Sequence, residues 1–206
     1  MIEKPWYKKW WGVLLIIFGV LTLINIVTQQ SQEKNQGSTT QAPQVQQTPK
    51  KTDSEILAEI ETRLNEYQKK LKGYYPEDDM LKTLSEDTVK LVILEVGYVK
   101  PENETQKKTL SKAKSLRPRV EALRRDVYAK TLERAMLDKG FNTEVQAKSA
   151  NKQVLEYKYA LMSKALVYKL SNEGRTLESA KNAGFTKLIF TDGFNSSWTY
   201  DLTKPN

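Results

Sequence analysis

The sequence predicts an α+β protein: an N-terminal transmembrane helix and a disordered tether, then helices followed by a ββααββ antiparallel sheet of about four strands packed on helices. Three observations carry this reading. Residues 10–27 form an uncharged apolar run, residues 28–52 are polar and low in aliphatic side chains, and near residue 141 the apolar spacing changes from helical to alternating.

The apolar run reads WWGVLLIIFGVLTLINIV, with polar side chains only at Thr22 and Asn25. Its length as a helix is roughly 27 Å, close to the hydrocarbon thickness of a bilayer. A helix satisfies every backbone amide internally, which lipid requires. Trp6, Tyr7, Trp10 and Trp11 gather at one end, where amphipathic rings favour the headgroup layer. Lys4, Lys8 and Lys9 precede the run, whereas Lys34 after it is offset by Glu33. The positive-inside rule then makes residues 1–9 a cytoplasmic tail and exports the remainder, giving a single-pass protein of the cytoplasmic (inner) membrane. A cleaved signal peptide would end in a small-x-small site; INIVTQQSQ offers none, so an uncleaved anchor is expected.

Residues 28–52 hold only Ala42 and Val45 as aliphatic side chains. Such a stretch buries too little apolar surface to offset the entropy of ordering, and a Gln/Ser/Thr-rich chain behaves as a flexible spacer. As a coil it spans about 25–30 Å root-mean-square.

The exported domain, residues 53–206, divides into a mainly helical part (53–140) and two hairpins with helices between them (141–206). Thr52 and Glu55 have capping-box spacing, and Leu57, Ile60, Leu64, Tyr67 and Leu71 follow as one apolar stripe that Gly73 stops. The stripe suits packing within the domain better than a two-heptad coiled coil. Residues 74–79 read as a turn. Ser85, Glu86 and Asp87 read as a helix start before Val89, Val92, Ile93 and Val96, although LVILEVGYV also fits a strand, so residues 89–99 stay open between the two. A basic helical stretch begins near Glu104 and is expected to break at Pro118, the first turn of a new helix. Val120, Leu123, Val127, Leu132, Ala135 and Met136 give that helix an apolar side, closed by Gly140.

Beyond it, Val145 and Ala147 alternate with Glu144, Gln146 and Lys148. After a turn at residues 149–152, Leu155, Tyr157 and Tyr159 alternate with Glu156 and Lys158, making a hairpin. Ser163 caps a short helix carrying Leu166, Val167 and Leu170, and a second helix runs to Gly184. Residues 187–191, an Asp192-Gly193 turn and residues 198–202 form the last hairpin.

The stretches KPWYKKWW, YALMSKALVYKLSNEG and FTDGFNSSWTYDL resemble segments of small bacterial membrane-anchored proteins of unassigned function. The resemblance covers the anchor and the last third of the chain, implies a bacterial envelope setting, and carries over no functional residue.

Composition narrows the chemistry. The chain has no cysteine and no histidine. That removes disulfides, thiolate ligands and thiol nucleophiles, together with the usual general base and the commonest ligand for zinc, iron and copper. No cofactor is expected: neither a Rossmann glycine motif nor a P-loop occurs. The formal charge is +8, but six lysines and two acidic residues fall within residues 1–52, so the domain keeps only +4. A nucleic-acid partner is not expected on that balance.

Several residue groups have spacings that bear on chemistry. Ser111 with Lys114, and Ser149 with Lys152, have the Ser-x-x-Lys spacing of serine acyltransferases, without the companion motifs. Glu77, Asp78 and Asp79 could hold a hard cation but lack the alternating oxygens and glycine of a calcium loop. Tyr157, Tyr159, Tyr168 and Tyr200 suit a groove or an ordinary half-buried sheet. Lys112, Lys114, Arg117, Arg119, Arg124 and Arg125, opposed within their stretch only by Glu121, suit either an anionic ligand or, as the plainer reading, a solvated helical face. The expected function is a membrane-tethered extracytoplasmic binding or structural module, contacting an anionic envelope polymer, lipid headgroups or a protein partner. The alternative is a membrane-anchored hydrolase working through carboxylate or Ser-Lys groups.

Overall fold

Thr52 opens the first helix because its extended backbone (φ −71°, ψ 155°) turns its hydroxyl onto the Glu55 amide. The Glu55 carboxylate in turn accepts the Thr52 N–H at 2.8 Å, completing the capping box. The computed structural model describes residues 51–73, 75–77, 79–173 and 175–204. The expected span at residues 10–27, its cytoplasmic tail and the tether up to residue 50 lie outside the described residues. Among the described residues no helix is long and apolar enough to cross a membrane.

Helix α1, Asp53–Leu71, buries Leu57, Ile60, Leu64 and Tyr67 inside the domain, with Leu71 packed at the margin. Helix α2 spans Met80–Gly97. It starts five residues before the expected Ser85 and makes the whole of LVILEV helical. Met80, Leu84, Asp87, Leu91 and Leu94 point inward, whereas Val89, Val92, Ile93 and Val96 are exposed. Both sets recur at helical spacing, and the neighbours choose between them. Asp87 can go inside because Arg63 of α1 donates to both its carboxylate oxygens, at 2.7 and 3.0 Å.

Helix α3 runs from Glu104 to Asp138, 35 residues and about 50 Å long. Asn103 caps it by accepting the Gln106 N–H at 2.9 Å. Pro118 lies within this helix and does not start a new one, contrary to the sequence reading. Proline removes one backbone bond, but buried residues on both sides hold the helix through it: Thr109, Ala113 and Leu116 before, Val120, Leu123 and Val127 after. Gly140, at φ +82°, closes the end with its N–H on the Leu137 carbonyl.

Strands β1 (Glu144–Lys148) and β2 (Val154–Lys158) pair antiparallel, as do β3 (Lys187–Thr191) and β4 (Ser197–Asp201). Between the hairpins lie helix α4 (Lys164–Tyr168), a π turn over Lys169–Glu173, and helix α5 (Thr176–Asn182). Ser163 caps α4 by accepting the Leu166 N–H at 3.3 Å. The sheet order is β1-β2-β3-β4, and β2 and β3 are parallel, with Leu155 opposite Leu188 and Tyr157 opposite Phe190. The sheet is therefore mixed, where an antiparallel one was expected. The physical reason is the connection: residues 159–186 cross over with their two helices and bring β3 back to the end where β2 began. The Asp192-Gly193 turn is a five-residue loop, with Asp192 Oδ1 accepting the N–H groups of Phe194, Asn195 and Ser196.

Two cores result. One joins α1, α2 and the first part of α3. The other packs Val145, Leu155, Tyr157, Leu188 and Phe190 of the sheet against Ala129, Val167, Ala180 and Phe185. The opposite sheet face carries Gln146, Glu156, Ile189 and Thr199 in one row.

Candidate functional site

The six basic residues singled out in the sequence diverge around α3. Lys112 and Arg119 face α1 and approach Glu61 at 2.9 and 3.9 Å. Arg117 turns to α2, donating to Glu95 at 2.8 Å, with Glu121 at 3.6 Å. Arg124 donates to the Ala183 carbonyl at 3.2 Å. Arg125 is 6% exposed and fastens two loops to the helix, through the carbonyls of Gly184 and Asn151, each at 2.9 Å. Burial lowers its pKa, Glu121 pulls it back up, and Arg124 adds to the lowering. Lys114 is exposed.

Arg119 alone among these six lines a broad cleft beside α3. That cleft, about 770 Å³, opens where the end of α1, the middle of α3 and the β1–β2 turn meet. Lys69 and Lys72 come from α1 and its cap, Arg119 and Asp126 from α3, and Lys152 from the turn, with Leu123 among the apolar lining. The local folding explains each position. The last turn of α1 puts Lys69 near its negative dipole end. The turn holds Lys152 at φ +57°, braced by its N–H on the Ser149 carbonyl.

Four cations and a single carboxylate make the lining basic. Asp126 stands 3.4 Å from Lys152. Burial raises its pKa above the ordinary Asp value, while Lys152 and Lys130 act in the opposite direction. Lys69 and Lys72 were not among the sequence candidates, and Lys152 was one only as the partner of Ser149 in a Ser-x-x-Lys spacing. The only local signal was the lysine-rich end of α1, and nothing in the order of residues links it to a turn some eighty positions later.

The other candidates are dispersed. Ser149 sits in the β1–β2 turn and its Oγ accepts the Gln153 N–H at 3.1 Å, while Ser111 and Lys114 are exposed on α3. Glu77 accepts from Lys70 at 3.2 Å. Asp78 lies outside the described residues, among which no group of three or more acidic side chains is placed to hold a metal. Tyr157 is core, its ring centroid 5.2 Å from that of Phe190, and Tyr200 packs edge-on to Phe190 at 6.0 Å. Tyr168 is exposed. Comparison with family models, curated proteins and solved structures finds no match for this chain.

Proposed function

We propose that this protein is a membrane-tethered binding module whose α1–α3–turn cleft takes a segment of an anionic polymer on the outer side of the cytoplasmic membrane. The observation that carries the reading is the cleft's lining: Lys69, Lys72, Arg119 and Lys152 around one carboxylate, Asp126, which stands 3.4 Å from Lys152. Cations that share a concave wall reinforce one another's field more than cations scattered over a convex surface. Its open form suits a chain that lies across it. The anchor at residues 10–27 and the polar tether support the location, since the lysine-rich side of the apolar run is the one retained in the cytoplasm.

The test is titration of the full-length protein, in nanodiscs of neutral lipid, with a polyphosphate chain. Binding is expected, weakening steeply from low to physiological salt as the Debye length contracts to about 8 Å. Replacing Lys69, Lys72 and Arg119 together by glutamine should weaken it at least tenfold with the melting temperature held. Unchanged affinity in that variant removes the cleft from the proposal.

A further inference from the structure

Helix α2 turns an aliphatic face to solvent. Val89, Val92, Ile93 and Val96, with Val99 just past the helix end, are between 41% and 67% exposed. The spacing places the four helical residues on one stripe opposite the buried Leu84, Leu91 and Leu94, with Val99 just beyond its end. Scattered surface valines need no explanation, but four aligned on one helix face form the kind of patch that proteins use for contact. We propose that this stripe is a lipid-contacting seat that rests the domain on the membrane through which the chain is anchored. The inference depends on the reading of residues 10–27 as a span, and adds to it a defined resting face.

Three observations select lipid as the occupant. The first is where the outside chain enters. Tyr98, the cap of α2, hydrogen-bonds through its hydroxyl to Asp53, the first residue of α1. The Val96–Val99 end of the stripe thus adjoins the point at which the tether joins the domain. On the reading of residues 28–52 as a flexible spacer, a coil of about 25–30 Å would keep that point within reach of the bilayer and make contact effectively intramolecular.

The second is charge. Lys82 lies on the line of the stripe near its N-terminal end and Lys100 follows Val99 directly, while Lys90 at the border is held 3.4 Å from Asp87 and Lys51 at the tether junction pairs with Glu59. Lysines beside an aliphatic helical face match a headgroup layer that includes anionic lipid. Glu86 lies on the same border, within 4.0 Å of Lys82.

The third is size. Five partly exposed aliphatic side chains offer on the order of 300 Å², well under the ~800 Å² per partner of a stable protein–protein interface. A tethered lipid contact needs no such area.

The chain has no cysteine, so single labelling sites can be introduced one at a time. Full-length protein in nanodiscs of phosphatidylcholine with phosphatidylglycerol, one copy per disc, would carry a fluorophore at I93C or V96C, and the lipid a shallow nitroxide quencher. Quenching at both sites is expected to be severalfold above that at Q146C and T199C on the far sheet face. Adding V92D and V96D to I93C should return its signal to the far-face level without loss of helix content. An I16C label separates this proposal from the anchor reading. Quenching at Ile16 with none at Ile93 overturns the seat alone; no quenching at Ile16 overturns the anchor and the seat with it. Shielding of Ile93 only when two copies share a disc, without lipid quenching, assigns the stripe to a second copy and also overturns the seat.

Discussion

Arg125 shows why a basic residue's role depends on its direction around the helix. Its neighbour in the same sequence cluster, Arg119, is about half exposed and held by one ion pair at 3.9 Å, whereas Arg125 bonds two carbonyls from within the fold. Arg125→Ala leaves the carbonyls of Gly184 and Asn151 without their donor and should cost about 2–4 kcal/mol in urea unfolding. Arg119→Gln should change stability by less than about 1 kcal/mol. Gly184 adds a constraint at the same place. Its φ is +86°, and a Cβ there would come within 3.3 Å of the Arg124 guanidinium, so larger residues are disfavoured. Asp126 gives a pH signature. Burial raises its folded pKa above the unfolded value, so its stabilising contribution is full below the unfolded Asp pKa and is lost as pH rises through the folded one. Asp126→Asn should flatten the pH dependence of stability in that acidic window. Polyphosphate affinity of the wild type should rise as pH falls through the same window, and the variant should lack that step, as read by titration calorimetry.

At the scale of elements, local signals predict helix ends better than helix faces. The Thr52/Glu55 box, the Ser163 cap and Gly140 act where their spacing places them, because each is satisfied within one turn of its own chain. Thr52→Ala should lower stability by about 1 kcal/mol in thermal or urea melts. The inward face of α2 is set by a longer-range pairing. Its Val/Ile set and its Met/Leu set are both helical stripes, and an acidic residue argues against the second until Arg63 is known to meet Asp87. Pro118 does not break α3 because a helix anchored in two cores tolerates the loss of one internal bond. Pro118→Ala restores that donor at an exposed site and should raise stability by about 1–3 kcal/mol, seen as a higher melting temperature.

For the domain as a whole, the decisive element is α3. It contributes Leu116, Val120, Leu123 and Val127 to the helical core and Ala129 to the sheet core, only two residues further on. Neither core can be lost without fraying the helix that completes the other, so residues Pro49–Asn206, which form one compact unit, should unfold in a single transition. Leu123→Ala in the first core and Leu155→Ala in the second should each cost about 2–5 kcal/mol and shift the same transition when followed by tyrosine fluorescence and by far-UV circular dichroism. Two separated transitions would mean that the cores are independent.

What the sequence determined by itself is what neighbours along the chain decide. The caps, the alternation of Val145 with Ala147 and of Leu155 with Tyr157, and the α+β class all rest on interactions spanning a few residues. The tertiary structure decided what depends on pairs far apart in sequence. The parallel pairing of β2 with β3 follows from the path of residues 159–186, and the inward face of α2 from Arg63. The cleft likewise exists only because Lys69, Arg119 and Lys152, carried by three separate elements, converge on one wall. A period in the sequence reports that a side chain has a preferred face; only packing reports which neighbour that face meets.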